Sequence, residues 1–177
     1  KRPMPVVRKQ PSEKYIRRYF KIFIKIDLFY WKDNIIQFYF IYNEINNQHQ
    51  VYIVSPLIEN EETDLNSVKK LKEKFIKAFP NTRIEIIHGK MKQEVKDSIM
   101  NDFINNQIQI LISTTVIEVG IDVPNATIMT IFNAERFGLA TLHQLRGRVG
   151  RGDAQSYCYL ISDKDNKRLK VMEESND

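Results

Sequence analysis

Short apolar runs alternate with amphipathic stretches along the chain from residue 51 onward. Five runs rich in β-branched and aromatic residues predict buried strands, at residues 51–55, 83–87, 108–113, 127–132 and 157–161. Between them, apolar side chains recur every three or four positions and predict helices at 65–79, 95–105 and 139–149, with the start of another at 165–174. An acidic loop is expected at 59–64. This alternation is typical of an α/β fold, a parallel sheet with helices on both faces.

The first 49 residues are less regular. They form a lead-in segment that is atypical, basic and rich in aromatic side chains, with a strand suggested at 20–26 and a helix at 35–46. Aromatic and basic residues together can stack on single-stranded bases, but packing of an edge strand or contact with another domain is the favoured interpretation. We therefore expect an ordered domain at residues 50–162 and the start of a C-terminal helical extension at 163–177.

Composition narrows the classes of protein only a little. The 177 residues carry a net charge of +5, which permits a polyanionic partner but fits a lysine-rich solvated surface equally well. The single Cys158 excludes a disulfide framework and a cysteine zinc cluster. Because the sequence shows no signal peptide and no apolar run of membrane length, we expect a cytoplasmic protein with no membrane partner.

The most informative stretch is the run QLRGRVGR at residues 144–151, which places three arginines within six residues and two glycines between them. Glycine allows close approach of the backbone, and guanidinium groups grip phosphates with bidentate hydrogen bonds. The pattern Gln-x-x-Gly-Arg-x-Gly-Arg resembles the last motif of superfamily 2 helicases, where arginines reach the γ-phosphate of ATP.

A second candidate group follows the third predicted strand. Thr114 and Thr115 stand at its carboxyl end and can hydrogen-bond phosphate oxygens of a nucleic-acid backbone. Gly120 permits a tight turn, and Asp122 can accept hydrogen bonds from a ribose or orient an arginine. Alone, the run is an ordinary strand and turn, but Thr-x5-Gly-x-Asp upstream of the arginine cluster resembles another superfamily 2 motif.

Two further strand ends carry candidate phosphate contacts. His88, Gly89 and Lys90 lie between the second strand and the following helix, where backbone N–H groups and a lysine can bind an anion. Ser55 follows the first strand and is a weaker candidate. No second His or Cys has a spacing suited to a metal, so no metal site is expected. Ligands of such sheets bind at the carboxyl ends of the strands, and we expect the arginine cluster at the same edge.

The chain contains no Gly-x-x-x-x-Gly-Lys-[Ser/Thr] loop to hold nucleotide phosphates. Arginines that reach a γ-phosphate therefore need a phosphate cradle on another domain. The sequence predicts one half of a two-domain motor, with ATP and Mg²⁺ held mainly by the other half and the isolated chain inactive.

Longer segments identify a closer resemblance. The segments STTVIEVGIDVPNAT, NAERFGLATLHQLRGRVGRG, QSYCYLIS and HGKMK together resemble the RecG family of bacterial branched-DNA helicases, over residues 50–177. The resemblance implies a RecA-like helicase C-terminal domain of the P-loop NTPase type, acting as a monomer beside an ATP-binding first domain. Its partners would be branched or duplex DNA, at stalled forks and Holliday junctions in recombination and repair.

The resemblance also implies roles for individual residues. It places Gln144, Arg148 and Arg151 at the γ-phosphate, as the catalytic group. Gly120 and Asp122 fall at the nucleotide or inter-domain coupling side. Arg146 is grouped with them, either contacting an acidic motif of the other domain or having a structural role. The DNA backbone is assigned to the strand ends at Ser55, His88, Gly89, Lys90, Thr114 and Thr115. Arg136 receives no role.

Three alternatives stay open. The equivalent domain of a transcription-repair coupling translocase shares the arginine stretch, a non-enzymatic nucleic-acid-binding module fits the missing phosphate loop, and half of an RNA helicase shares the cleft motifs. Residues 15–34 depart from the family pattern.

Overall fold

The computed structural model describes residues 35–56, 61–114, 123–162 and 167–174. The strand suggested at 20–26 lies outside these residues, as do Thr115, Gly120 and Asp122. The described part contains five helices, α1 (Ile35–Asn46), α2 (Glu61–Ala78), α3 (Gln93–Ile104), α4 (Leu139–Arg146) and α5 (Lys167–Glu174). Five strands accompany them, β1 (Gln50–Val54), β2 (Ile84–Ile87), β3 (Ile110–Ser113), β4 (Ala126–Ile131) and β5 (Tyr157–Leu160). A short 3₁₀ turn, Ala134–Arg136, precedes α4.

The strands form one parallel sheet in the order β2-β3-β1-β4-β5. Every residue of β1, β3 and β4 is buried, as expected for strands covered on both sides. This confirms the predicted parallel sheet with helices on both faces. The helix expected at 35–46 is also present and packs on the sheet, with Ile41 fully buried.

Two apolar clusters divide the helices between the faces of the sheet. On one face, Ile41 of α1 and Phe75 of α2 pack with Val51 and Ile53 of β1. On the other, side chains of α3, α4 and α5 pack against the opposite side of the same strands. There the rings of Tyr52 and Phe103 lie 4.8 Å apart. The sheet is thus the middle layer of three. Because helices cover both of its faces, a binding or catalytic site is expected at one of the two edges where the strands begin or end.

Two expected boundaries are wrong. The acidic loop predicted at 59–64 is helical from Glu61, where α2 begins. Acidic side chains stabilise a helix N-terminus, so the acidic run marks the start of a helix and not a loop. The helix predicted to reach residue 149 ends at Arg146. Val149 lies in the turn after the helix, yet its side chain is buried. Its apolar side chain therefore fitted the helical pattern although the residue is not helical.

None of the helices in the described part of the chain has the length and apolar character needed to cross a membrane.

Candidate functional site

Ser55, His88 and Thr114 form a row along the carboxyl edge of the sheet. They directly follow β1, β2 and β3, which are neighbours in the order β2-β3-β1. Ile87 and Val54 both pair with Ser113, so the next residues stand at the same level. The ladder continues into the row, because Ser55 N donates to Ser113 O at 2.9 Å and Thr114 N to Ile87 O at 3.3 Å. With strands about 4.8 Å apart, the row is roughly 10 Å long.

Thr114, in the middle of this strand-end row, has an unusual side chain. It is 3% exposed, and its Oγ1 has no hydrogen-bond partner within the structure as described. A buried hydroxyl without a partner costs about 1–3 kcal/mol. Its hydrogen-bonding capacity is therefore available to a ligand oxygen that reaches this edge.

His88 lies at the β2 end of the row, on a tight turn in which Met91 N donates to His88 O at 3.1 Å. Burial lowers the pKa of the His88 ring, and the positive charges of Lys69, Lys96 and Lys90 lower it further. The imidazole is consequently neutral at pH 7, while lysines supply the charge around it. Gly89 and Lys90 are exposed beside it. The sequence did not single out Lys69 or Lys96.

The arginine cluster occupies a turn at the end of α4. Arg148 N donates to Leu145 O at 3.0 Å, and Arg151 Nε donates to Gly147 O at 3.0 Å. Gly150 adopts φ 77°, a left-handed conformation that favours glycine. Gln144 and Arg151 are exposed and Arg148 is half-buried. The turn therefore gathers the three predicted catalytic side chains on a compact backbone.

This turn lies at the amino edge of the sheet. A Cβ added to Gly152 would meet Pro124 O at 2.7 Å, and Pro124 stands just before β4 begins. The expectation that the arginine cluster shares the carboxyl edge with the other candidates is wrong. The reason is direction: α4 starts after the carboxyl end of β4 and returns against the strands, so its last turn reaches the opposite edge.

Arg146 points inward and differs from the other two arginines. It is 6% exposed, and its guanidinium donates to Met172 O of α5 at 3.3 Å and lies 3.3 Å from His143 Nδ1. Cys158 lies close enough that the charge of Arg146 lowers the pKa of its thiol, although full burial dominates and raises that pKa to about 12. The hydrogen bonds described for Arg146 thus lie within the domain.

Along the chain, residues 115–122 connect Thr114 to Val123. Thr114 stands at the carboxyl edge and buried Val123 at the amino edge, just before Pro124. Thr115, Gly120 and Asp122 belong to this connection.

Arg136, on the 3₁₀ turn that follows β4, is exposed at the carboxyl edge. No group of three or more His, Cys, Asp or Glu side chains within the described segments could hold a metal ion.

Comparison with known proteins identifies the class of domain. Residues 32–153 match the model of the helicase conserved C-terminal domain, and the chain belongs to this family. It is 46% identical over 141 residues to the ATP-dependent DNA helicase RecG of Staphylococcus epidermidis, covering 76% of this chain and 21% of that protein. RecG of Staphylococcus aureus is 45% identical over the same length.

A solved structure supports the same relationship. The structure of RecG bound to a three-way DNA junction shares 40% sequence identity with this chain and a TM-score of 0.65, covering 79% of this chain and 18% of that one. The chain spans about a fifth of the length of the curated relatives that it matches. The predicted resemblance to RecG is confirmed.

Proposed function

We propose that this chain is the C-terminal motor domain of an ATP-dependent DNA helicase that remodels branched DNA, such as stalled forks and Holliday junctions, in recombination and repair. The proposal rests on the observation that the two candidate groups lie at opposite edges of the sheet. An arginine turn lies at the amino edge, and the strand-end row of hydroxyl and imidazole groups lies at the carboxyl edge.

At the amino edge, Gln144, Arg148 and Arg151 would face ATP and Mg²⁺ held by a first motor domain. Arginine supplied to the γ-phosphate stabilises the charge that develops as the phosphoryl group is transferred. Gly120 and Asp122 are assigned to the same side, and the isolated chain is expected to hydrolyse no ATP.

At the carboxyl edge, Ser55, His88, Gly89, Lys90, Thr114 and Thr115 would contact the DNA backbone. The orphan hydroxyl of Thr114 supports this assignment most strongly, since phosphate oxygens are strong acceptors for a buried donor. Such contacts position a strand without reading its sequence. Action as a monomer in the cytoplasm belongs to the same proposal.

The test of the arginine turn is Arg148→Ala in the full-length helicase. ATP turnover should fall by about 10³–10⁵-fold, the usual loss for an arginine finger, while DNA affinity without nucleotide stays the same. Arg83→Ala is the matched control, because the ion pairs described for Arg83 join it to Glu85 and Asp102 on the surface. Unchanged turnover in Arg148→Ala would remove the catalytic assignment.

The choice of DNA over RNA is tested separately. The proposal expects ATP-driven unwinding of a forked DNA and little activity on a duplex RNA of the same length. Equal or greater activity on RNA would instead support an RNA helicase.

A further inference from the structure

The flank of the edge strand β2 carries its charges in two different arrangements. Toward the amino end, opposite charges are paired: Lys72 Nζ lies 2.9 Å from Glu85 Oε2, and Arg83 lies 2.7 Å from Asp102 Oδ2. Toward the carboxyl end, the charges of Lys69, Lys96 and Lys90 act on the His88 ring. The described ion pairs of this flank therefore lie toward its amino end, while the lysines that act on His88 come from three different parts of the chain: α2, the loop after β2 and α3.

Lys69 reaches this carboxyl end because of how α2 packs. Helix α2 runs against β2, and the Lys72–Glu85 ion pair shows which residues of the two elements lie side by side. Lys69 lies three residues before Lys72, hence on the same side of the helix and about one turn closer to the carboxyl edge. Lys69 is exposed and makes no ion pair with the residues described.

Lys96 approaches the same place from the other face of the sheet. It stands in the first turn of α3, which begins just after the His88 turn, and Lys96 N donates to Lys92 O at 3.1 Å. Its side chain is half-buried, and it too forms no ion pair in the parts of the chain that are described. Lys90, on the loop between, completes the group.

We propose that Lys69, Lys90 and Lys96 form a phosphate-binding lysine cluster that extends the strand-end row beyond β2 and holds one further segment of the DNA backbone. The inference rests on the proposed function and adds Lys69 and Lys96 to its binding residues. In this arrangement His88 contributes a hydrogen bond and the lysines contribute charge. Because ammonium groups on flexible stems act as point charges, the cluster anchors DNA of any sequence.

The test measures DNA affinity of the full-length protein against salt concentration, with Lys69→Gln and Lys96→Gln. Each substitution should reduce the slope of log K against log salt by about 1, equally for unrelated duplex sequences. Lys70→Gln is the control: it removes the same charge from the adjacent, exposed position of α2 and should leave the slope nearly unchanged. Lys69→Arg, which keeps the charge, should restore it.

The outcomes separate this inference from the proposed function. In one outcome, the wild type binds DNA and Thr114→Val weakens that binding, while Lys69→Gln and Lys96→Gln give the same salt slope as Lys70→Gln. In that case the lysine cluster is refuted and the proposed function stands. If the wild type shows no salt-dependent DNA binding, both are refuted. Equal slope changes in all three lysine variants would mean diffuse surface charge and would also overturn the cluster.

Discussion

Two buried threonines show how side-chain partners separate a structural residue from a candidate binding residue. Thr127 is 1% exposed, and its Oγ1 donates to Glu44 Oε2 at 2.6 Å. Thr114 is equally buried but has no described partner. Thr114→Val should therefore stabilise the free protein by about 1 kcal/mol, since it removes an unsatisfied hydroxyl, and should weaken DNA binding about tenfold by removing a charge-assisted hydrogen bond.

Denaturant unfolding and DNA titration measure the two effects of Thr114→Val. Thr127→Val is the matched control, because it deletes a satisfied hydroxyl and should lower stability by about 1.5–3 kcal/mol with DNA affinity unchanged. A Thr114→Val protein that is less stable than the wild type would mean that the hydroxyl has an internal partner, and would contradict its proposed role as a DNA contact.

His88 makes stability depend on pH in a defined direction. Its pKa in the folded protein is below the ordinary 6.5 because of burial and the three neighbouring lysines. The unfolded chain therefore binds more protons, and stability is lost as pH falls from 6.5 toward the folded-state pKa. Urea midpoints at pH 7.5 and 5.5 should differ more for the wild type than for His88→Asn. An equal difference in both proteins would show that neither burial nor the lysines lower the pKa of this ring.

At the scale of elements, the accuracy with which the sequence predicted strands and helices depended on how their residues are buried. The strands were found to within about two residues because covered strands are nearly continuous apolar runs, as in β3, where all four residues are buried. The end of α4 was missed because Val149 packs into the core from a turn. The adjacency of Ser55, His88 and Thr114 depends on the order β2-β3-β1. That order, like the placement of Lys69 and Lys96, arises only from tertiary packing.

The junction between α4 and α5 depends on Arg146. Met172 lies in the last turn of α5, where carbonyls lack helical partners, and the guanidinium of Arg146 donates to one of them. Arg146→Met should cost about 1.5–3 kcal/mol and lower hydrogen-exchange protection in α5 more than in β1. Arg148→Met, at the half-buried position two residues on, should leave α5 protected.

The same variants separate the two roles left open for Arg146. A purely structural Arg146 predicts that ATP turnover per folded molecule changes far less in Arg146→Met than in Arg148→Met. Comparable losses of turnover would place Arg146 in the nucleotide site instead.

For the whole molecule, the main consequence of the fold is that the arginine turn and the strand-end row lie at opposite edges of the sheet. The central strands β1 and β4 are five and six residues long, so the arginine turn and the strand-end row are separated by roughly 15–20 Å. Substitutions that far apart act additively unless a shared element couples them. Residues 115–122 connect Thr114 to Val123 along the chain, and in the proposed motor the nucleotide at one edge must influence the DNA contacts at the other.

This separation predicts that the edges are independent without nucleotide and coupled with it. Binding a non-hydrolysable ATP analogue should change the DNA affinity of the full-length wild type by about 5–150-fold, the usual range of allosteric coupling. Arg148→Ala should abolish most of that change while leaving affinity without nucleotide intact. Thr114→Val should instead weaken DNA binding in both states. If Arg148→Ala lowered DNA affinity in the absence of nucleotide, the arginine turn would itself contact DNA, and the assignment of one ligand to each edge would be wrong.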